Sequence, residues 1–346
     1  MQCVILAGGK GTRLRPLTIH TPKPIVPLVG RPFLYYQLDL LRRAEVHDVI
    51  LSLSYQPNKI EDTFGDGSHY GMRIRYTVEP QPLGTAGAYK SAEAVIDSPT
   101  IVFNGDILTD IDLSEVMAFH RERGAVATIV LAPVDNPRAY GLVETAADGR
   151  VLRFREKPQA DEEITTNLIN AGIYVLEPGV LAHVPAGDAY SFEYDLFPAL
   201  LAAGVPVFAY VTPHYWIDIG TPRRYVRANL DLLAGKLPNA RFERRVRGEK
   251  VDERAEVDEL SWVDPTATVK AGARVVNSVV EANCIVEERA VVEDSVVRRA
   301  SRVGSSAIVT GCALGTSVHV GRNAVARGAA LGDKSALTDY SAVGEP

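Results

Sequence analysis

Three cysteines in 346 residues, Cys3, Cys284 and Cys312, are too few and too far apart for a disulfide framework or a zinc ribbon, and their number is odd. They are expected as reduced, packed thiols. The seven histidines show no metal-ligand spacing. Positive charge is not in excess either: 37 Lys+Arg against 43 Asp+Glu leave a net charge of −6, which gives no basic field for nucleic acid or an anionic membrane. No window approaches the roughly eighteen uninterrupted apolar residues of a spanning helix, and Met1-Gln2-Cys3-Val4-Ile5-Leu6 carries no cationic leader. A cytoplasmic protein is expected. The 28 Gly and 21 Pro are average usage, which excludes collagen-like and low-complexity chains and leaves their placement as the informative feature.

What is present falls into two periodicities. Up to about residue 235, short β-branched runs alternate with helical stretches. Val4–Leu6, Val49–Leu53, Ile74–Val78, Ile101–Phe103 and Thr128–Leu131 have strand length and composition. Phe33 to Ala44 after Pro32, and Ala86 to Val95 after Gly84-Thr85, have helical spacing. Strand, helix, strand at this pitch implies parallel pairing in a doubly wound α/β sheet, whose ligands bind beyond the carboxyl ends of the strands.

Residues 236–260 read as a charged connector, and a repeat follows from Ser261. Aliphatic residues recur in steps of six, six and five: Val263, Val269, Val275; Val280, Val286, Val292; Val297, Val303, Val309; Leu314, Val320, Ala326. Four positions after each stands a small or β-branched residue, beginning Ala267, Ala273, Val279, Cys284, Ala290 and Val296 and continuing through Ala313 to Ala330. The pairs Asn277-Ser278, Asp294-Ser295 and Gly311-Cys312 also repeat every seventeen residues, and Leu331 and Leu337 begin a fifth turn. A triangular coil takes one small side chain inside each corner and one aliphatic side chain per face, so the pattern predicts a left-handed parallel β-helix of about four coils.

After the first strand run comes Leu6-Ala7-Gly8-Gly9-Lys10-Gly11-Thr12-Arg13-Leu14, and then Thr21-Pro22-Lys23-Pro24. Glycines let backbone N–H groups close on phosphate oxygens, and Arg13 and Lys23 add charge. Two familiar phosphate motifs are excluded: Leu14 stands where the dinucleotide fingerprint has its third glycine, and no Gly-Lys-Ser/Thr closes a Walker-type loop.

With this loop, the runs Gly84-Thr85-Ala86-Gly87, Asn104-Gly105-Asp106, Tyr140-Gly141, Glu156-Lys157-Pro158, Asn170-Ala171-Gly172 and Trp216-Ile217-Asp218-Ile219-Gly220-Thr221-Pro222 appear in one order. Together they resemble the sugar-1-phosphate nucleotidylyltransferases, or nucleotide-sugar pyrophosphorylases. The members with an added β-helix, the mannose-1-phosphate guanylyltransferases especially, resemble the whole chain. The expected architecture is an α/β fold: a Rossmann-like doubly wound mixed sheet forming a nucleotidyltransferase domain over 1–235, the connector 236–260, and the left-handed β-helix over 261–346.

The resemblance implies nucleotidyl transfer from an NTP to a sugar 1-phosphate, giving NDP-sugar and pyrophosphate. The nucleophile is already an oxyanion, so no activating base is required. By resemblance, Arg13 grips the β- and γ-phosphates, Lys23 reaches the α-phosphate, and Lys157 holds the sugar phosphate. Leu6, Ala7, Gly8, Gly9, Gly11, Thr12, Gly84 and Thr85 would complete the nucleotide site, and Gly141, Glu156 and Asn170 the sugar side. Asp106 and Asp218 would share one Mg²⁺, which needs only one or two carboxylates besides substrate phosphates. Glu79, just before Pro80, either reads the base or is a solvated strand-end acid. As a reader it would accept N1–H and N2–H of guanine and repel adenine, which presents an acceptor at N1.

GTP with mannose 1-phosphate is therefore the expected pair. Glucose 1-phosphate or another sugar or cyclitol phosphate with dTTP, UTP or ATP is the alternative. A silent regulatory subunit binding nucleotide-sugar is a second, and acyl transfer at His319 in the β-helix a third. The small-molecule substrates are the expected partners, without nucleic acid or membrane, in a homo-oligomer to which the β-helix contributes.

Overall fold

The computed structural model describes residues 1–156, 164–242 and 250–344. Lys157, assigned to the sugar phosphate above, lies outside the described residues. The chain packs as two compact units, Met1–Gly9 with Gln37–Trp216, and Lys10–Tyr36 with the chain from Ile217 onward.

The first unit is built on a nine-stranded mixed sheet. Its strands are β1 (Gln2–Leu6), β2 (Asp48–Leu53), β3 (Arg73–Val78), β4 (Thr100–Asn104), β5 (Ala127–Pro133), β6 (Gly141–Thr145), β7 (Val151–Glu156), β8 (Leu168–Leu176) and β9 (Val207–Val211). The order runs β7-β6-β8-β4-β1-β2-β3, and β5 pairs with β8 and β9. β1 lies parallel between β4 and β2, with Val4 opposite Val102 and Ile50. β8 is antiparallel to β4, which makes the sheet mixed. Val4, Ile50 and Val102 are fully buried, as expected for parallel strands covered on both faces. The five strand runs read from the sequence all form strands.

One helix is shorter than its pattern. The stretch expected from Ala86 to Val95 forms an α-helix only over Gly84–Lys90, and a separate 3₁₀ turn follows at Glu93–Val95. The Ser91 hydroxyl donates to the Ala88 carbonyl at 2.7 Å, a local bond of the kind that competes with helix continuation.

In the second unit the repeat forms three parallel ladders of six, five and five strands; each step advances seventeen residues except the first of the six-stranded ladder, Glu256 to Arg274, which advances eighteen. This is a left-handed β-helix, and it has five coils rather than four. It also starts earlier than Ser261: Val251 bridges Val269, and Ala255 and Val257 pack in the interior, so the end of the 236–260 connector belongs to the coil.

The twelve aliphatic positions from Val263 to Ala326 are all buried in the interior core. The small corner residues need one correction. Where the step is five residues instead of six, the inward position falls one residue earlier, so Ser278, Ser295 and Cys312 fill the corner rather than Val279, Val296 and Ala313. The corner hydroxyls are paired: Ser278 Oγ donates to the Val276 carbonyl at 2.7 Å and accepts the Ser295 N–H at 3.1 Å, and Ser295 Oγ accepts the Cys312 N–H at 3.0 Å. Val279, Val296 and Ala313 point outward and are nonetheless buried. The helix Pro222–Leu233 packs against the strand Ala313–Leu314 of that outer face.

From Asn277 onward the corners turn through positive φ, at Asn277, Asn283, Arg289, Asp294, Ala300, Ser306, Gly311, Ser317 and Asn323 in steps of six, six and five. Most are not glycine, and each such residue carries about 1 kcal/mol or more of strain that the ladder hydrogen bonds and the core must offset. All three cysteines are free and buried, and burial pushes the Cys284 thiol up to about 12.

The β-helix also buries an acid. Glu281 is 5% exposed, and burial pushes its carboxyl from 4.5 up to about 7, against the opposing pull of Arg298. A carboxyl raised in this way contributes stability that is complete below its unfolded value of 4.5 and lost as pH rises through 7. Glu281→Gln removes the titration. Its melting temperature relative to the wild type should therefore climb between about pH 5 and about pH 8, corresponding to on the order of 2 kcal/mol. A difference that does not move with pH would show that Glu281 does not titrate in this range.

Candidate active site

In the first unit the carboxyl ends of the central strands converge. After β1, the Ala7 N–H continues the ladder to the Ser52 carbonyl at 2.9 Å. Gly8 then passes so close to β2 and β3 that a Cβ would stand 3.0 Å from Glu79 Oε1 and 3.2 Å from the Ser54 nitrogen. On the other side, the Gly105 N–H donates to the Leu6 carbonyl at 2.9 Å, and a Cβ on Gly105 would lie 2.7 Å from that oxygen. Both glycines are needed for close backbone approach. Asp106 is thereby delivered to the end of β4, half-buried, where α/β sheets assemble their sites.

Glu79 is buried rather than solvated. Its Oε1 accepts from the Ser52 hydroxyl at 3.1 Å and its Oε2 from the Leu83 N–H at 3.0 Å. A carboxylate accepts about four hydrogen bonds, so two acceptor positions remain beside Gly8. Thr85 is turned into the protein: its hydroxyl donates to Glu193 at 2.9 Å and accepts the Phe192 N–H at 2.8 Å. Gly84, at φ +71°, could carry no Cβ without meeting the Tyr190 carbonyl. Gly84 and Thr85 thus brace the segment 188–193.

Asn170 is held at both ends of its amide. Its Nδ2 donates to the Tyr174 hydroxyl at 2.8 Å, and its Oδ1 accepts the Gly172 N–H at 3.0 Å. Tyr174 donates in turn to Glu193 at 3.2 Å, so Glu193 links Asn170 to Thr85. Gly141 and Glu156 are directly opposed across β6 and β7, and the Glu156 carboxylate lies over the face of Gly141 where a Cβ would go.

The second unit holds the cations. Gly11 turns at φ +60°, its carbonyl accepts from the Thr18 hydroxyl at 2.7 Å, and its face lies against Lys23 Cβ. Lys23 is buried at 8% exposure and opens a short 3₁₀ turn after Pro22. Thr12 and Arg13 are exposed in the turn Thr12–Leu14. Asp218 is buried; its Oδ1 accepts the Gly220 N–H at 2.9 Å and its Oδ2 an Arg224 N–H. A Cβ on Gly220 would stand 2.6 Å from Asp218 Oδ1 and 3.3 Å from Arg13 Nη2. Glycine therefore lets the Arg13 guanidinium lie against the Asp218 turn.

Sequence reasoning did not find Arg224, the ion-pair partner of Asp218, nor Glu193 and Ser52. Arg224 sits six residues after Asp218 on the first turn of the helix Pro222–Leu233, a spacing that could have been read. Glu193 lies far in sequence from Thr85 and Tyr174, and its one local partner is Ser191.

Among the described residues no group of three or more His, Cys, Asp or Glu could hold a metal with protein ligands alone. Asp106 and Asp218 each offer hard carboxylate oxygens, the ligand type that Mg²⁺ takes alongside substrate phosphates and water.

The family model for nucleotidyl transferase matches residues 2–235, and that for the GMPPB C-terminal domain matches residues 247–342. The chain belongs to the nucleotidyl transferase family. The mannose-1-phosphate guanylyltransferase of Mycobacterium tuberculosis is 44% identical over 253 residues, 72% of this chain and 69% of that protein. The UTP–glucose-1-phosphate uridylyltransferase of Synechocystis sp. is 36% identical over 256 residues, 70% of this chain and 66% of that protein. The crystal structure of HddC from Yersinia pseudotuberculosis complexed with GMP-PN is similar at a TM-score of 0.58 and 34% identity, covering 67% of this chain and 99% of that one. Membership in this family fits NTP and sugar phosphate as small-molecule substrates.

Gly220→Ala tests the second cluster. The new methyl group must displace either Asp218 or Arg13, so kcat/KM for nucleotidyl transfer should fall by about 100-fold with little change in melting temperature. Activity within about twofold of wild type would show that the contact between Arg13 and the Asp218 turn is not used.

Proposed function

We propose that the protein transfers a guanylyl group from GTP to mannose 1-phosphate, forming GDP-mannose and pyrophosphate. A phosphate oxygen of mannose 1-phosphate attacks the α-phosphorus of GTP, and the bond from that phosphorus to the oxygen bridging to the β-phosphate breaks. The reaction class rests on family membership. The observation that carries the substrate pair is the 44% identity to a mannose-1-phosphate guanylyltransferase across 72% of the chain, with a buried carboxylate, Glu79, beside the glycine turn.

In this reading Arg13 forks onto the β- and γ-phosphates and Lys23 neutralises the α-phosphate where negative charge develops. The burial of Lys23 strengthens its field there, since little water screens it. Glu79 accepts from the guanine N1–H and N2–H. Glu156 and Asn170 orient the sugar hydroxyls, and Lys157 holds the sugar phosphate. Leu6, Ala7 and Gly8 contribute backbone contacts to the nucleoside, while Gly84 and Thr85 act through the 188–193 segment. Proteins of this family generally use Mg²⁺, and Asp106 with Asp218 would hold it here to neutralise charge on the phosphates.

Residues 1–235 serve as the catalytic domain, with the loop 10–36 seated on the β-helix side. No helix among the described residues is long and apolar enough to cross a membrane, and we place the enzyme in the cytoplasm. We also propose a homo-oligomer that uses the β-helix; a monomer mass by light scattering on the full chain would overturn this.

The uridylyltransferase relative supports a second reading, in which the sugar phosphate is glucose 1-phosphate and the nucleotide UTP. A panel of GTP, UTP, dTTP and ATP against mannose 1-phosphate and glucose 1-phosphate, read as pyrophosphate release with Mg²⁺, separates the two. GTP with mannose 1-phosphate should exceed every other pair in kcat/KM. Asp106→Asn and Lys23→Ala should each lose about 10³-fold or more in kcat. Robust turnover in Asp106→Asn would overturn the role given to that carboxylate, and a preference for UTP would overturn the substrate assignment.

A further inference from the structure

One outer face of the β-helix is unlike the others. Its strands Trp262–Val263, Val279–Val280, Val296–Val297, Ala313–Leu314 and Ala330–Leu331 stack in register, and alternation turns every second side chain away from the interior. Outward charges on such a coil are normally solvated. Here Glu281 and Arg298, two residues beyond the outward Val279 and Val296, are 5% and 3% exposed.

What covers Arg298 is the segment Lys10–Tyr36. Arg298 Nη1 donates to the Leu17 carbonyl at 3.3 Å, and Nη2 donates to the Thr21 hydroxyl at 3.2 Å. Two coils further on, Gly332 faces Pro16, leaving 3.0 Å for a Cβ. Near the other end of the face, Gly30 rests so closely on the Trp262 indole that a Cβ would stand 2.5 Å from the ring. The contacts therefore run along the loop, and the Arg298 contacts fall between Arg13 and Lys23.

Stability alone does not explain a buried arginine at this place. Arg298 Nε is buried without a hydrogen-bond partner, as is Glu281 Oε1, and Asp333 Oδ1 approaches Arg298 Nη1 only to 3.6 Å. A buried charge with incomplete pairing costs more in desolvation than its contacts return, and an apolar side chain of the same size would stabilise the face better. What the guanidinium does uniquely is join two points of the loop, a backbone carbonyl and a side-chain hydroxyl, through one rigid fork.

We propose that Arg298 is a positioning residue for nucleotidyl transfer: by holding Leu17 and Thr21 it sets the loop so that Arg13 and Lys23 meet the triphosphate, which makes the β-helix a working part of the catalytic apparatus. The inference rests on the reading of that loop as the triphosphate site. Thr21-Pro22-Lys23 is a short, proline-stiffened link, so a displacement at Thr21 is transmitted to the Lys23 side chain with little loss.

The test compares Arg298→Met, which keeps the apolar stem and removes the fork, with Arg298→Lys, which keeps the charge. A third variant, Val309→Ala, loosens the β-helix interior without touching the loop. Each full-length variant is assayed with GTP and mannose 1-phosphate well below its melting temperature, and amide hydrogen exchange over residues 12–24 is followed without nucleotide. Arg298→Met should lower kcat/KM for GTP by about tenfold or more while changing KM for mannose 1-phosphate less than about threefold, and Arg298→Lys should recover part of the loss. Exchange over residues 12–24 should accelerate in Arg298→Met and stay at the wild-type rate in Val309→Ala. Equal kinetic losses in Arg298→Met and Val309→Ala, or unchanged loop exchange in Arg298→Met, would overturn the proposal. If the wild type turns over none of the nucleotides, the function reading fails, and the exchange comparison still decides whether Arg298 holds the loop.

Discussion

A segment of irregular backbone as long as Lys10–Tyr36 carries many N–H and carbonyl groups, and each one withdrawn from water needs a partner. In this protein several of those partners come from the far end of the sequence. The Val29 N–H donates to Asn229 Oδ1 at 2.9 Å, and the Tyr225 hydroxyl donates to the Pro27 carbonyl at 2.7 Å. Arg298 takes Leu17 and Thr21. The loop that leaves β1 at Gly9 is thus physically part of the helix Pro222–Leu233 and the β-helix, and the cations it carries stand where those elements place them. A polyanion is gripped well only by donors already fixed in space, because an arginine or lysine that must be ordered on binding loses much of its gain to conformational entropy.

The same constraint accounts for the glycines. Gly8, Gly105 and Gly220 are not flexible joints. Each lies where another group occupies the space of a side chain: the Glu79 carboxylate, the Leu6 carbonyl and the Asp218 carboxylate with Arg13. The motifs in which they stand are therefore packing requirements at the strand ends, whatever phosphate contacts the proposed function gives them. This made the catalytic half legible. A glycine next to a charged residue at the end of an apolar run marks the place where backbone and functional group must share a small volume, and that pattern is local in sequence.

What could not be read was mostly non-local. Glu193 joins Asn170, through Tyr174, to Thr85, and Tyr174 and Thr85 are 19 and 108 residues away from it. Arg298 reaches Leu17 across 281 residues. No periodicity signals such pairings. The β-helix shows the opposite case, since its core was written in steps of six, six and five. The misplaced corner, Val279 for Ser278 and Val296 for Ser295, arose from carrying a constant offset of four through the five-residue step. The repeated Asn277-Ser278 and Asp294-Ser295 pairs contained the correction: an inward serine needs its hydroxyl bonded, and the next corner supplies the N–H. The positive-φ corners were less visible because residues as different as Arg289, Ala300 and Lys334 adopt them. There the stack imposes the backbone, and residue preference is overridden.

Why a β-helix should brace a phosphate loop follows from how such a stack stores its stability. Each coil interacts with its two neighbours, so an end coil is held on one side and an internal coil on both. Arg298 projects from an internal coil, with Val297 paired to Val280 below and to Leu314 above. Trp262, by contrast, meets the loop from the first coil of this face, and Gly332 from the last. The charged contact, which depends most on geometry, is therefore made from the most constrained rung, while shape contacts suffice at the ends. An ordinary surface loop would reverse this arrangement, with its charged residues at the least ordered tip. Holding the segment between Arg13 and Lys23 from the interior of a rigid stack would, in the proposed function, place the cations at a fixed spacing before the nucleotide arrives, which is the condition for stabilising a charge that exists only transiently.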